Sequence, residues 1–194
     1  KLLDHWSTEE HPNEMLLSPD GKRLFVANAN RNSVSVIDPV SGKIIETLVA
    51  TLTPDAPPGN TPNSLALSPS GEYLFVANAN INTIAVFDVE HMGASKSLGF
   101  IPVGWYPTSV RLTPDGKRLL VANGKGLISD SNRNGPRPGF HPEAPTPDYI
   151  GALFQGTVAF IDLPLDEMAF EKQMIAWTQR AMTCRPLGAE SLEL

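Results

Sequence analysis

Few side chains of this sequence have a type and a position that could support chemistry. Glu14 and Arg111 stand on short β-type segments, where a carboxylate and a guanidinium could orient a small polar ligand, form an ion pair or simply be solvated. Six other candidates are polar or aromatic side chains in predicted loops: His11, Trp105, Tyr106, Lys125, His141 and Tyr149. We take these eight residues as a candidate binding surface and predict no catalytic residue among them.

No established catalytic or metal motif is present. The sequence lacks Gly-x-Ser-x-Gly, His-Glu-x-x-His and paired cysteines, and Cys184 is its one cysteine. The "GKG" at 124–126 lacks the spacing of a phosphate-binding loop and is explained by turn formation. The four histidines, His5, His11, His91 and His141, have no zinc-type spacing. The sequence therefore predicts no metal and no cofactor.

Composition narrows the function classes. Of 194 residues, 41% are hydrophobic and 19% charged, as in a soluble globular protein. The net charge of −6 disfavours binding to nucleic acid or to anionic lipid, and no apolar run is long enough to span a bilayer. "KLLDHWSTEE" has neither an initiator Met nor the layout of a signal peptide, so we expect the chain to be a piece of a longer protein.

One phrase recurs three times. "SPDGKRLFVANAN" spans residues 18–30, "SPSGEYLFVANAN" spans 68–80, and "TPDGKRLLVANGKG" spans 113–126. The periods are about 50 and 45 residues, which is typical of solenoids and β-propellers.

Each repeat is predicted to form short β-strands joined by tight turns. The "SPDG" type of turn joins an alternating strand to a continuous apolar one, such as "LFVA", and Asn-rich turns lead to a third strand. In the first repeat "KIIETLV" supplies a fourth strand. This pattern predicts an all-β protein, a partial β-propeller of about three four-stranded antiparallel blades. The propeller covers 1–163, with repeats at about 10–56, 57–104 and 105–163.

The repeat resembles that of a known propeller family. Residues 24–48, "LFVANANRNSVSVIDPVSGKIIETL", are similar to the YVTN repeat, whose signature is represented by residues 25–28, 75–78 and 120–123. That resemblance implies a propeller of bacterial or archaeal proteins outside the cytoplasm, hence a periplasmic or secreted location.

A narrower resemblance covers residues 99–126 and 149–164. These segments look like bacterial proteins that join such a propeller to a metal-dependent phosphoesterase domain of the alkaline-phosphatase superfamily. The metal-binding Asp/His set of that domain has no counterpart in this chain. The resemblance therefore implies a phosphoesterase domain as a downstream partner and carries no catalytic residue over.

Three blades form an arc, whereas closed propellers have about four to eight. We therefore expect partners in the remaining blades, or in another chain that completes the ring. "KLLDHW" at residues 1–6 could be the last strand of an earlier blade.

The third repeat is interrupted at 124–156, where the first two have short turns. Loops of this length are often functional. Strand direction places the insertion on the same rim as the links between blades at 5–14, 53–64 and 99–109. A ligand site there competes with the simpler hypothesis that Trp105 and Tyr106 pack the base of their own loop.

The last segment, 164–194, is predicted to be an amphipathic helix and linker. Asp166 can cap the helix, and apolar side chains recur at Phe170, Met174, Trp177 and Ala181. Such a helix could dock on the ring or bridge to a following domain, and the resemblance favours the bridge.

These observations predict a non-catalytic binding or scaffold module within a larger protein. One alternative is a lactonase-like hydrolase with its active site on the channel face, for which the sequence supplies Glu14 and Arg111. The other is a surface-layer or adhesion array of repeats.

Overall fold

Three antiparallel sheets follow one another along the chain. A computed structural model describes residues 4–127 and 150–184. Its strands are β1 (Pro12–Leu17), β2 (Leu24–Asn28), β3 (Ser33–Ile37), β4 (Ile44–Val49), β5 (Pro62–Leu67), β6 (Tyr73–Asn78), β7 (Thr83–Asp88), β8 (Lys96–Pro102), β9 (Trp105–Leu112), β10 (Arg118–Gly126) and β11 (Thr157–Asp162). One α-helix, α1 (Glu167–Thr183), follows, and two 3-10 turns lie at Ala79–Ile81 and Ile150–Leu153.

The sheets are consecutive blades. Blade 1 is β1–β4 and blade 2 is β5–β8, each with its strands paired in sequence order, and blade 3 is β9–β11. The predicted all-β partial propeller is therefore confirmed, with one correction: blade 3 has three strands in the described residues. No fourth strand follows β11 there, because Pro164 comes directly after it and Asp166 caps α1, which packs on blade 2.

Apolar residues between the blades form the core. One cluster lies between blades 1 and 2 and contains Phe25, and a second lies between blades 2 and 3 and contains Phe75. Strands β1, β5 and β9 contact one another in succession, whereas the outer strands of neighbouring blades diverge. These three strands therefore line the inner, channel side of the arc.

A buried cation joins the outer parts of blades 1 and 2. Arg23 is 8% exposed, and its two terminal nitrogens donate to the carbonyls of Val89 and Gly71. Its guanidinium also lies 5.5 Å from the centre of the Phe25 ring.

Arg23→Met is expected to lower the free energy of unfolding by about 2 kcal/mol, because two buried carbonyls lose their donor. Urea denaturation measures the change. Arg31→Met is the control, since Arg31 forms an exposed ion pair with Glu10 and should contribute less than about 1 kcal/mol. Equal losses in the two variants would contradict this role for Arg23.

The first hairpin turns of blades 1 and 3 each contain an aspartate that accepts a hydrogen bond. Ser18 donates to Asp20 and Thr113 donates to Asp115, both at 2.6 Å. These hydroxyl bonds, supported by backbone N–H donors, hold the pKa of both carboxyls below the ordinary value of 3.8. Blade 2 has Ser70 at this position, so its turn lacks the carboxylate.

Thermal stability is expected to decline as the pH falls below about 4. The pKa of each aspartate is lower in the folded state, so its contribution is complete above the unfolded value of 3.8 and is lost as the pH falls through the folded one. Melting curves between about pH 6 and about pH 3 should show a shallower decline for Asp20→Asn/Asp115→Asn. Asp55→Asn, an exposed link residue, should leave the profile unchanged.

The C-terminal helix docks on blade 2. The Asp166 side chain accepts from the Ala169 N–H at 2.9 Å, as predicted for the cap, and Phe170, Met174 and Ala181 are buried. The helix lies across β8, where the Phe100 N–H donates to the Thr178 hydroxyl at 2.9 Å. Of the two predicted placements, the structure shows docking, which covers an otherwise open sheet edge. In the described part of the chain, no helix is long and apolar enough to cross a membrane.

Strand β10 continues further than the sequence suggests. The insertion was predicted to begin at residue 124, but β10 runs through Gly126, which pairs with Trp105 of β9. Gly126 has φ +68, and a Cβ there would lie 2.1 Å from the Gln155 carbonyl oxygen. The glycine is needed for this close approach, so "GKG" is part of a strand and the turn prediction is wrong.

Candidate functional site on the channel side

The inner strands bring one carboxylate and one guanidinium together. Glu14 is on β1 and Arg111 is on β9, so the two residues come from blades that are not adjacent in the arc. Glu14 Oε1 lies 3.1 Å from Arg111 Nη2. The pair spans the inner strand of blade 2, and we call it, with Ser64 and Leu65 of that strand, the channel cluster.

Glu14 is held by the backbone of blade 2. Its Oε2 accepts from the Leu65 N–H at 2.6 Å, and its side chain is 25% exposed. One oxygen thus binds blade 2 and the other binds blade 3. The carboxylate is fixed in orientation and partly reached by solvent.

Arg111 is held by several acceptors and still faces solvent. Its Nη1 donates to Ser64 Oγ at 3.2 Å, to the Leu65 carbonyl at 3.3 Å and to the Val110 carbonyl at 2.6 Å. Its side chain is 58% exposed. A guanidinium has five N–H donors, and within residues 4–127 and 150–184 the Nε–H and one Nη2–H have no acceptor.

This arrangement can bind an anionic or carbonyl oxygen. The remaining donors of Arg111 belong to a planar, permanently charged group that its other contacts already orient. Glu14 retains lone pairs that can accept a proton or a hydrogen bond. The cluster therefore has the parts needed to orient an ester, a carboxylate or a phosphate in the channel.

The rim holds a second, separate group. Lys125 Nζ lies 4.5 Å from the centre of the Tyr106 ring and 5.6 Å from that of Phe154. Trp105 is 46% exposed nearby and pairs with Gly126. On β10, Arg111 pairs with Leu120 and Trp105 pairs with Gly126, six residues further along the strand. About 20 Å of strand therefore separates the rim from the channel cluster.

The other predicted residues are not assembled with these groups. The His11 ring is exposed, and its Nδ1 lies 3.3 Å from Asn30 Oδ1 beside its own blade. His141 and Tyr149 lie outside the described residues. In the described ranges no three His, Cys, Asp or Glu side chains group closely enough to hold a metal ion.

The backbone of the links shows a repeated strain that the sequence did not reveal. His11, Thr61 and Tyr106 each precede a proline and have φ of 58, 56 and 60. Positive φ is uncommon in residues other than glycine, and the residue before a proline normally adopts an extended conformation with negative φ. The only sequence signal is the shared X-Pro at corresponding positions of the repeats.

A cavity of about 490 Å³ lies on the opposite side of the arc from the rim and was not predicted. Blade 2, blade 3 and the start of α1 line it, with Tyr73 and Phe170 side by side at 5.3 Å between ring centres. Burial and the neighbouring carboxylate of Glu72 raise the pKa of Tyr73. The cavity therefore lies between the helix and the two blades, and no residue of the channel cluster lines it.

Comparison with known families identifies the propeller type. The family model described as "Lactonase, 7-bladed beta-propeller" matches residues 14–127, more than half of the chain. The chain belongs to this seven-bladed lactonase family. The matched segment includes both charged residues of the channel cluster. No curated protein matches the chain significantly.

Solved structures agree on the fold and differ in their chemistry. A candidate 6-phosphogluconolactonase from Bacteroides uniformis is 28% identical, with TM-score 0.53, over 61% of this chain and 34% of that one. A second, from Bacteroides fragilis, is 29% identical, with TM-score 0.52, over 58% and 32%. Hydrazine synthase from Kuenenia stuttgartiensis is 25% identical, with TM-score 0.52, over 66% and 33%. The chain thus spans about a third of each of these proteins.

Proposed function

We propose that this chain supplies part of the active site of a propeller that hydrolyses lactones of sugar acids. The observation that carries the proposal is the ion pair between Glu14 and Arg111 on the inner strands, which leaves two Arg111 donors directed to solvent. The family match supports it, since it concerns lactonases and covers both residues. The lactonase-like alternative is therefore preferred here to a non-catalytic scaffold.

The channel cluster suits ester hydrolysis chemically. Water adds to the lactone carbonyl carbon, Glu14 accepts one proton from that water, and the Arg111 donors stabilise the resulting oxyanion. The ring C–O bond then breaks, and the leaving ring oxygen takes the proton from Glu14. The product is the open-chain hydroxy acid, and both side chains return to their starting states.

A specific observation favours a second candidate, the non-catalytic binding module that the YVTN resemblance implies. Both oxygens of Glu14 and both terminal nitrogens of Arg111 already serve contacts that join three blades. In that case the pair stabilises the arc, and the module serves a phosphoesterase domain outside the cytoplasm. The channel then binds ligand without turnover.

One assay separates the two candidates. The protein is purified as the 194-residue chain and as the product of its natural coding region, and hydrolysis of 6-phosphogluconolactone and glucono-δ-lactone is followed above the spontaneous rate. Turnover by either form supports the lactonase. Binding of the open-chain acids without turnover of either lactone would reject it in favour of the binding module.

A further inference from the structure

The cavity between blade 2, blade 3 and α1 has the size of a small-molecule site. Its volume is about 490 Å³, and small-molecule sites typically measure about 300–1,000 Å³. The side chains of Phe75 and Leu163, both buried, form part of its wall. The cavity therefore offers an apolar surface that the hydrocarbon part of a ligand can cover.

Two aromatic rings form another part of the wall. Tyr73 of β6 and Phe170 of α1 lie with their ring centres 5.3 Å apart and their planes at 52°. Phe170 is buried, whereas Tyr73 is half-buried beside it. The face of such a ring attracts a cation within about 6 Å of its centre. This part of the wall thus suits an apolar group or an organic cation.

The charged side chains that line the cavity are all acidic in the described residues. Glu72 and Asp115 come from the hairpin turns of blades 2 and 3, and Asp166 and Glu167 come from the start of α1. Asp115 is compensated by the charge of Lys117, and Asp166 is used as the helix cap. Glu72 and Glu167 take part in none of the ion pairs of the described chain. Their two negative charges are therefore the ones left to attract a ligand.

Both of these carboxylates act on the hydroxyl of Tyr73. Burial raises the pKa of this hydroxyl most, and the charges of Glu72 and Glu167 raise it further, with smaller contributions from Asp88 and Glu90. Glu72 belongs to blade 2 and Glu167 to α1, so negative potential reaches the hydroxyl from two sides of the cavity. The hydroxyl stays neutral at physiological pH and can accept a hydrogen bond from an ammonium group.

We propose that this cavity binds a small organic ammonium, that is, a protonated amine on an apolar body. The apolar body covers Leu163 and the ring of Phe170. The ammonium group lies between Glu72 and Glu167 and donates to the Tyr73 hydroxyl. Opposite charge gives the preference for a cation over a neutral or anionic molecule of the same shape, because the partly enclosed site screens this attraction less than an open surface does.

The lining favours an organic cation over a metal ion. A metal ion needs several ligands at short distance, and in residues 4–127 and 150–184 no three His, Cys, Asp or Glu side chains come together in that way. The aromatic and aliphatic wall would gain nothing from a bare ion. The site shares no residue with the channel cluster, so amine binding does not depend on lactone hydrolysis.

Three probes of similar shape and different charge test the class of ligand. Phenethylamine, phenethyl alcohol and hydrocinnamate are each titrated at neutral pH into the isotope-labelled chain, and amide NMR spectra are recorded. We expect the amine to bind about tenfold more tightly than the alcohol, and the carboxylate more weakly than the alcohol. The signals that shift should be those of residues 68–73 and 166–170, which surround the cavity.

Two variants of α1 test the role of charge. Glu167→Gln keeps the shape of the side chain and is expected to weaken amine binding about fivefold while leaving alcohol binding unchanged. Glu171→Gln is the matched control, since Glu171 lies one turn later, is exposed and does not line the cavity. Equal affinity for amine and alcohol, equal effects of the two variants, shifts confined to other residues or no binding of any probe would each overturn the proposal.

Discussion

Replacing Arg111 by methionine is expected to reduce lactone turnover by about a hundredfold or more. Methionine fills the space of the side-chain stem but has no donor for the oxyanion. The two Arg111 donors that face the channel would be lost, while Glu14 would keep its bond from the Leu65 N–H. Initial rates of glucono-δ-lactone hydrolysis, corrected for the spontaneous reaction, measure the effect.

Two variants separate catalysis from folding. Arg111→Lys keeps the charge without the planar fork and should retain part of the rate. Arg31→Met removes an arginine that is paired with a glutamate at the surface, and should leave the rate unchanged. Full turnover in Arg111→Met, or an equal loss in Arg31→Met, would contradict a role for Arg111 in the reaction.

The repeated part of the fold was predictable because its determinants are local. Each hairpin is specified by its turn sequence and by the apolar strand that follows, without distant contacts. The three turns begin at Ser18, Ser68 and Thr113. The start of α1 was predictable for the same reason, since Asp166 caps it through a bond to a residue three positions away.

Features that depend on distant contacts were not predictable. The sequence placed Glu14 and Arg111 on inner strands, but nothing local indicates that both would bind Leu65 of the blade between them. Likewise, the glycines of "GKG" fit a turn equally well. The segment is a strand because Gly126 pairs with Trp105 of β9, and the close approach of Gln155 explains why residue 126 is a glycine.

Docking of α1 on β8 depends on a glycine whose importance is invisible in the sequence. Gly99 has φ +127, and a Cβ on it would lie 2.1 Å from Thr178 Oγ1. That hydroxyl accepts from the Phe100 N–H and donates to the Met174 carbonyl, so it cannot move without breaking both bonds. The contact between strand and helix therefore requires a residue without a side chain.

Gly99→Val is accordingly expected to lower the free energy of unfolding by about 3 kcal/mol, from backbone strain together with separation of the helix. Gly59→Val is the matched control, because Gly59 has φ +135 with no atom within 4 Å of its Cβ position. It should show the strain alone, about 1–2 kcal/mol. Urea denaturation gives both values, and Trp177 fluorescence should report detachment only in Gly99→Val, since Trp177 packs against the core. Equal losses with unchanged fluorescence would mean that β8 does not depend on close contact with α1.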